Sequence, residues 1–390
     1  MRAETIGVAA LALCGSVVGA PSYRVVDLGS AGGASRAFAL SENGWTAGVT
    51  AVSAGNAHVG WGRAPGGALT TTGSLSGDAL SWAFAVTGSG EAYGVSFSLG
   101  QVAARSFRWS GGGGSPVDIG LFSARGVNGS GVVVGHVSVA SGMSVVDRGC
   151  VLEGGALTEL PGLGGANWYA RAVNASGRIA GMSWTTGENA HRAVVWQGGV
   201  VKDLGTLGGA SSQALGLNEG DRVVGWAQVA SGDPHACVFV VDAGGNVTSR
   251  VDLGTLAGAR SSTARGVNNR GQVVGVSDGR PFFWRQGGGM VDLNTRIEGG
   301  AWELHDMYAV NDAGQIAGYG ELNGFPRAVL LMACEGDANG DFQVNFADLN
   351  IVLSHFGAGV PAGEMGDFNN DGVVTFADLN VLLGRFGQGC

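Results

Sequence analysis

Asp337, Asn339 and Asp341 stand at alternate positions, and Asp367, Asn369 and Asp371 repeat the pattern further along the chain. Each trio is followed by a residue that can offer its carbonyl (Gln343, Val373), a polar side chain (Asn345, Thr375) and a carboxylate (Asp348, Asp378). Oxygens at the first, third, fifth, seventh, ninth and twelfth places of a loop can wrap a hard cation, and calcium takes roughly six to eight of them. Two copies in one register therefore read as two calcium sites. They differ at the sixth place, where the second loop has Gly372 and the first has Phe342. A side chain in the left-handed turn expected there costs about 1 kcal/mol, so the first loop should bind more weakly. The twelfth ligand is Asp in both, shorter than the usual Glu.

Charge agrees with this chemistry. From Glu335 to Cys390 there are eight acidic residues and one basic residue, Arg385, giving −7 of the chain's −9. Before Asp367 the sequence GAGVPAGEMG cannot form a helix. A strand and a short link precede Asp337. Each loop is instead followed by a single helix. Asn345 and Thr375 serve as N-caps, with Asp348 and Asp378 three residues on as capping boxes. Phe346, Leu349, Val352, Leu353 and Phe356, and likewise Phe376, Leu379, Leu382, Leu383 and Phe386, form stripes at helical spacing, expected to pack on each other. A segment this small builds little core alone, and metal would supply what is missing.

A loop with one following helix, written twice, resembles the type I dockerin family over about 335–388. The resemblance implies two bound Ca²⁺ ions, folding on calcium and a cohesin-like protein domain as partner. It assigns partner contact to Phe346, Ala347, Phe376 and Ala377, and further along the helices to Leu353, Ser354, Leu383 and Gly384. Family members usually carry polar residues at these places. A cap docked within the same chain is the competing use of such a surface. Cys334 and Cys390 bracket the acidic end, and a disulfide between them would close a loop worth about 4 kcal/mol.

Upstream, a turn phrase recurs: SENGWTAG (41–48), TGSGEAYG (87–94), NGSGVVVG (128–135), NASGRIAG (174–181), NEGDRVVG (218–225), NNRGQVVG (268–275) and NDAGQIAG (311–318). Its final glycines are 41 to 50 residues apart, the period of a propeller or solenoid. Asn opens the hairpin turn in copies such as NASGRIAG, and the first Gly, replaced by Asp221 in the fifth copy, takes the left-handed position. A third run follows, as in RAVVW (192–196), SFRW (106–109) and PFFW (281–284), and then a fourth, as in VVKDLG (200–205) and RVDLG (250–254). Four short strands per repeat make a propeller blade. YRVVDLG (23–29) is a fourth strand without its first three, and FPRAVLL (325–331) is a third without its fourth. Together they would complete a seventh blade and close the ring. DLGTLGG (203–209), GVNNRGQVVG (266–275) and NAHRAVVW (189–196) resemble the HAF repeat of bacterial extracellular proteins, over roughly 23–331. That resemblance implies secretion and fold more than activity.

The expected organisation is thus a signal peptide over 1–22, an all-β seven-bladed β-propeller over 23–331 and a calcium-loop module over 332–390. The signal reading rests on one Arg followed by an apolar stretch from Ile6 to Ala20, too short to span a bilayer. Cleavage after Ala20 or after Ser22 stays open. No basic stripe invites nucleic acid or an anionic membrane. No catalytic motif is present, so no catalytic residues are assigned. His58, His191 and His235 recur just before the third strand and read as structural. His305, beside Glu303 and Asp306 on a stretch read as irregular, is the best non-repeat cluster. The function expected is that of a secreted, non-enzymatic protein. Its module would attach it to a partner, and its propeller would be a scaffold or recognition surface for an unidentified ligand. The alternative is an extracellular carbohydrate-active enzyme; convergence of Glu188, Asp233, Glu303 and Asp306 at one mouth of the channel would favour it.

Overall fold

The computed structural model describes residues 22–52, 57–98, 104–142, 144–297, 300–339, 343–360, 365–369 and 371–388. The segment read as a signal peptide lies outside these residues apart from Ser22. Two compact units are present, Ser22–Cys334 and Glu335–Cys390.

In the first unit the described residues form seven four-stranded antiparallel sheets, the blades of a propeller. After β1 (Tyr23–Gly29), blade 1 comprises β2 (Gly32–Leu40), β3 (Thr46–Val52), β4 (Ala57–Arg63) and β5 (Thr70–Thr71). Blade 2 has β6 (Leu80–Val86), β7 (Glu91–Phe97), β8 (Arg105–Ser110) and β9 (Val117–Gly120). Blade 3 has β10 (Ser123–Val127), β11 (Val133–Ser141), β12 (Ser144–Glu153) and β13 (Ala156–Glu159). Blade 4 has β14 (Gly164–Val173), β15 (Ile179–Thr185), β16 (His191–Gln197) and β17 (Val200–Asp203). Blade 5 has β18 (Gly208–Leu217), β19 (Arg222–Val229), β20 (Pro234–Val241) and β21 (Val247–Gly254). Blade 6 has β22 (Thr263–Val267), β23 (Val273–Ser277), β24 (Arg280–Arg285) and β25 (Gly289–Asp292). Blade 7 has β26 (Trp302–Val310), β27 (Ile316–Leu322) and β28 (Phe325–Ala333), with β1 paired antiparallel to β28 from Tyr23↔Ala333 onward. The first strand of each blade touches the first strand of the next, and β26 touches β2. The WELHDM stretch, expected to be irregular, belongs to strand β26, because its residues pair with β27 from Trp302↔Leu322 onward.

The recurring phrase does two jobs. Asn218 accepts from the Arg222 amide of its own turn through Oδ1 (2.8 Å) and donates from Nδ2 to the Asn268 carbonyl of the next blade (2.8 Å). The same link joins Asn128 to Asn174, Asn174 to Asn218, Asn268 to Asn311, and Asn311 to Ser41. The side-chain amide thus laces neighbouring blades while satisfying buried backbone groups. Asp221, in the left-handed region at φ 60°, lies 2.8 Å from the buried Arg178 guanidinium, although that contact is not aligned as a hydrogen bond. The final glycine of the phrase answers a different need. A Cβ on Gly225 would overlap the Gln213 carbonyl oxygen of the neighbouring inner strand, and Gly181 meets Tyr169 in the same way.

That crowding accompanies a β-bulge at one register of every inner strand. The extra residues are Phe38, Phe84, Arg125, Arg171, Leu215, Arg265 and Tyr308. The DLG phrase is a second inter-blade staple. Asp203 accepts from the Gly205 amide (2.7 Å), and Ser212 of blade 5 donates to the Gly205 carbonyl (2.6 Å) while accepting from Ala193 of blade 4 (2.9 Å). Between blades lie apolar cores such as Ala180, Val195, Leu204, Val223 and Phe239. Trp61, Trp109 and Trp196 are fully buried.

The second unit contains α1 (Phe346–Ser354) and α2 (Phe376–Arg385), around a small core of Val344, Val352, Val374 and Leu382. The chain after α1 pairs with the second loop (Val360 N to Gly372 O, 2.9 Å; Gly357 N to Val374 O, 2.8 Å). The chain after α2 returns to the first (Gly387 N to Val344 O, 2.8 Å; Val344 N to Gln388 O, 3.0 Å). The two halves therefore brace each other reciprocally.

Candidate functional site

In each half of the second unit the helix begins on a capping box. The Ala347 amide donates to Asn345 Oδ1 (2.7 Å) and the Asn345 amide to Asp348 Oδ2 (2.9 Å). Thr375 and Asp378 repeat this, with Ala377 N to Thr375 Oγ1 at 3.2 Å and Thr375 N to Asp378 Oδ2 at 2.9 Å. The second oxygen of each aspartate turns back to its loop. Asp348 Oδ1 accepts from Ala338 (2.8 Å) and Asn339 (3.1 Å), and Asp378 Oδ1 accepts from Phe368 (2.8 Å) and Asn369 (3.1 Å). The two loops thus share one geometry at their closing residue.

The second loop is described further along. Asp367 accepts from the Asp371 (3.2 Å) and Gly372 (2.9 Å) amides, Asn369 Oδ1 from Asp371 (2.9 Å), and Asp371 Oδ1 from Val373 (2.9 Å). Gly372 sits at φ 85°, the left-handed turn for which its sixth place asked. Asp341 and Phe342, the corresponding stretch of the first loop, lie outside the described residues, while Gln343 at its seventh place is exposed.

The electrostatics test whether a cation suits these loops. Asp348 and Asp378 are fully buried, Asp367 is 1% exposed and Asp337 7%. Burial pushes the Asp348 carboxyl above the usual carboxylate range, and the Asp337 charge pushes it the same way, against backbone hydrogen bonds that lower it. The one basic side chain of the segment, Arg385, pairs with the exposed Glu335 (2.9 Å). Amide donors carry no net charge, so buried acids crowded in this way fit a hard cation held by oxygen. Among the described residues no group of three or more Asp, Glu, His or Cys side chains is arranged to hold a metal. The donor set inferred from the sequence also draws on Asp341 and on amide, hydroxyl and carbonyl oxygens.

The helices bury only part of the stripes that their spacing suggested: Val352 and Leu382 are fully buried, and Leu349, Leu379 and Phe386 pack against that core. Phe346 and Phe376 are each 70% exposed, Leu353 and Leu383 53%, and Phe356 40%. The helices are short, nine and ten residues, and the loop valines Val344 and Val374 complete the core beside Val352 and Leu382. Phe346 meets Phe386 edge-on at 5.0 Å, and Phe376 meets Phe356 at 4.8 Å. Each loop-end ring therefore rests on the far end of the other helix. Ala347, Ala377, Ser354 and Gly384 are exposed beside them.

In the propeller, three of the four proposed acids are tied to their own surroundings, and the fourth, Glu303, is exposed on β26. Glu188 accepts from the Ala166 amide, Asp233 lies 3.9 Å from Arg260, and Asp306 pairs with Arg265 at 2.8 Å. His58, His191 and His235 lie within the first two positions of their third strands. His191 packs between Trp184 and Trp226, and His235 Nδ1 lies 3.0 Å from Asp252. Cys150 and Cys237 are buried free thiols, and burial pushes Cys150 up to about 12. Cys334 is disulfide-bonded, while Cys390 lies outside the described residues. Reading the phrases one at a time missed the bulge residues. Aligning ARG (124–126), ARA (170–172) and ARG (264–266) would have exposed them.

No protein family and no curated protein matches the sequence. Among solved structures, the chain is similar to virginiamycin B lyase from Staphylococcus aureus, with TM-score 0.50 and 12% identity over 80% of this chain and 98% of that one. An acylaminoacyl peptidase from Pyrococcus horikoshii gives 0.46 and 13% over 75% of this chain, which spans 52% of the peptidase. TolB from Acinetobacter baumannii gives 0.38 and 13% over 67% of this chain, which spans 62% of TolB. At 12% identity the likeness to the lyase is one of fold alone, and the seven four-stranded sheets make the first unit a β-propeller.

Proposed function

We propose that the protein is a secreted, non-enzymatic modular protein. Its C-terminal unit is a dockerin-like module that holds two Ca²⁺ ions and attaches the chain to a cohesin-like protein domain. Its propeller, closed by the pairing of β1 with β28, is the scaffold or recognition surface. The observation that carries this reading is the matched pair of closing aspartates, Asp348 and Asp378. Each is fully buried and bound to three backbone amides of its own loop. Bound calcium would supply positive charge beside these buried side chains.

Asp337, Asn339, Asp341, Asn345 and Asp348 hold the first ion with the Gln343 carbonyl. Asp367, Asn369, Asp371, Thr375 and Asp378 hold the second with the Val373 carbonyl. The exposed Phe346, Ala347, Phe376 and Ala377 offer the partner a surface that two-fold repetition presents twice. The test is calcium titration of the full chain by calorimetry, with far-ultraviolet circular dichroism alongside. About two ions should bind with a gain of helix, and Asp367→Ala with Asp378→Ala should abolish the second site. Absence of binding heat together with an unchanged spectrum would refute the assignment.

A further inference from the structure

The bulges give the innermost strands a property that no single repeat shows. Ring contacts run unbroken across five blades: Arg265 over Tyr308 (5.0 Å), Tyr308 to Phe38 (5.2 Å), Phe38 to Phe84 (5.5 Å) and Phe84 under Arg125 (4.1 Å). The extra residues of neighbouring inner strands therefore gather around the axis of the ring. One arc is aromatic. The other carries guanidinium groups, and Arg171 on blade 4 feels the charges of both Arg125 and Arg265.

These three arginines are not equivalent. Arg265 is answered by Asp306, with Nη2 to Oδ2 at 2.8 Å and Nε to Oδ1 at 3.0 Å. Arg125 and Arg171 each have a buried Nε without a hydrogen-bond partner. Asp147, the acid whose charge acts on Arg125, already accepts from Ser138 Oγ (2.6 Å) and Tyr169 Oη (2.8 Å). His136 packs on Tyr169 at 5.0 Å, and its Nδ1 is also buried without a partner. Burial and the repulsion of Arg171 lower Arg125 to about 10, with Asp147 opposing. Two desolvated cations side by side are costly unless an anion joins them. The planar fork of guanidinium matches a carboxylate by paired hydrogen bonds. Phe38, Phe84 and Tyr308 offer ring faces to whatever body carries that carboxylate.

We infer that the axis of the propeller binds a small organic acid, its carboxylate held between Arg125 and Arg171 and its flat or apolar face against the Phe38–Phe84–Tyr308 arc. This deepens the reading of the propeller as a recognition unit. It is independent of the calcium loops, which can succeed or fail separately.

The test titrates the full-length protein in calcium with benzoate, glucuronate and a glucuronate-containing oligosaccharide, and with glucose and benzyl alcohol as uncharged counterparts. Calorimetry and thermal shift give the readout. Binding of the acids at millimolar concentration or tighter is expected, with about tenfold or greater preference over the uncharged counterparts. A response to the free acids alone identifies a metabolite site, and a response to the oligosaccharide as well identifies a chain-bound uronate. Arg125→Met and Arg171→Met should each weaken binding about tenfold or more and should not lower the melting temperature of the free protein, because each removes an unanswered charge. Equal response to glucose and glucuronate, no response to any acid, or unchanged binding in both variants would overturn the proposal. Should a variant fail to fold, the wild-type comparison of charged with uncharged ligands decides it.

Discussion

Asn218 in the propeller and Asp378 in the C-terminal module both turn a side chain back onto backbone amides, but with different results. Asn218 has a donor as well as an acceptor, so one end closes its turn and the other reaches the next blade. It is neutral and needs nothing further. Asp378 accepts from three amides and remains a buried charge. The blades of the propeller, with apolar cores between them, are held together by the protein's own atoms. Among the described residues the module has a core of four buried apolar side chains and acids to match, so its stability depends on what it binds. Carboxamide at a repeated turn indicates self-sufficiency, whereas carboxylate at a repeated turn indicates a missing cation.

The largest effect expected from this contrast is chelation. With calcium at a hundred times its dissociation constant, removal should speed proteolysis within 335–388 by about a hundredfold for each ion lost, or about ten-thousandfold for two independent sites. Tryptophan fluorescence should stay constant, since all ten tryptophans lie at or before Trp302. A simultaneous change in both signals would erase the distinction between the two regions.

Next in size is Gly225→Ala. The new methyl has nowhere to go but into the Gln213 carbonyl, and about 3 kcal/mol should be lost in denaturant unfolding of the propeller, with the module's calcium response unaltered. Acid probes the propeller through His136. Burial first, then Arg125 and Arg171, lower this histidine to about 4, with Asp147 opposing. Its unfolded form takes up a proton near 6.5, so the unfolded state binds more protons between those values and stability falls as pH drops through that window. The loss should reach about 3 kcal/mol, and His136→Gln should flatten that section of the stability–pH curve relative to wild type. A parallel curve would show that the histidine is not held neutral. Smallest is Asn218→Ala, which removes one turn bond and one inter-blade bond for about 1–2 kcal/mol. An equal loss from Asn218→Asp, which keeps the turn acceptor but cannot donate, would assign the cost to the link between blades.

Much of this was legible from residue order. The repeated phrase gave the inner hairpins, and the fourth-strand run at Tyr23 marked the partner of β28. Asn345 and Thr375, each three residues ahead of an aspartate, announced both capping boxes. The bulges were not legible in any single copy, because the placement of Arg125 or Phe38 depends on a slip in cross-strand register rather than on local preference, and only the aligned ARG and ARA triplets hint at them. Nor was the exposure of Phe346 and Leu353. A helical stripe shows which residues share a face, but how much of that face is covered depends on how far the second helix overlaps it. His305 looked irregular because its neighbours are polar and aromatic in no alternating order, yet pairing with β27 overrides that pattern.

The pairing of β1 with β28 has a mechanical consequence. Ser22 and Cys334, at the two ends of the propeller unit, are adjacent, with the Cys334 amide bonded to the Ser22 carbonyl (3.0 Å). Tension applied between those two residues therefore loads the seam at its tip. Its bonds would break in succession, as in a zip fastener, rather than sharing the load. Stretched in an optical trap, the toroid should open at low force from this seam, with the remaining blades uncoiling afterwards.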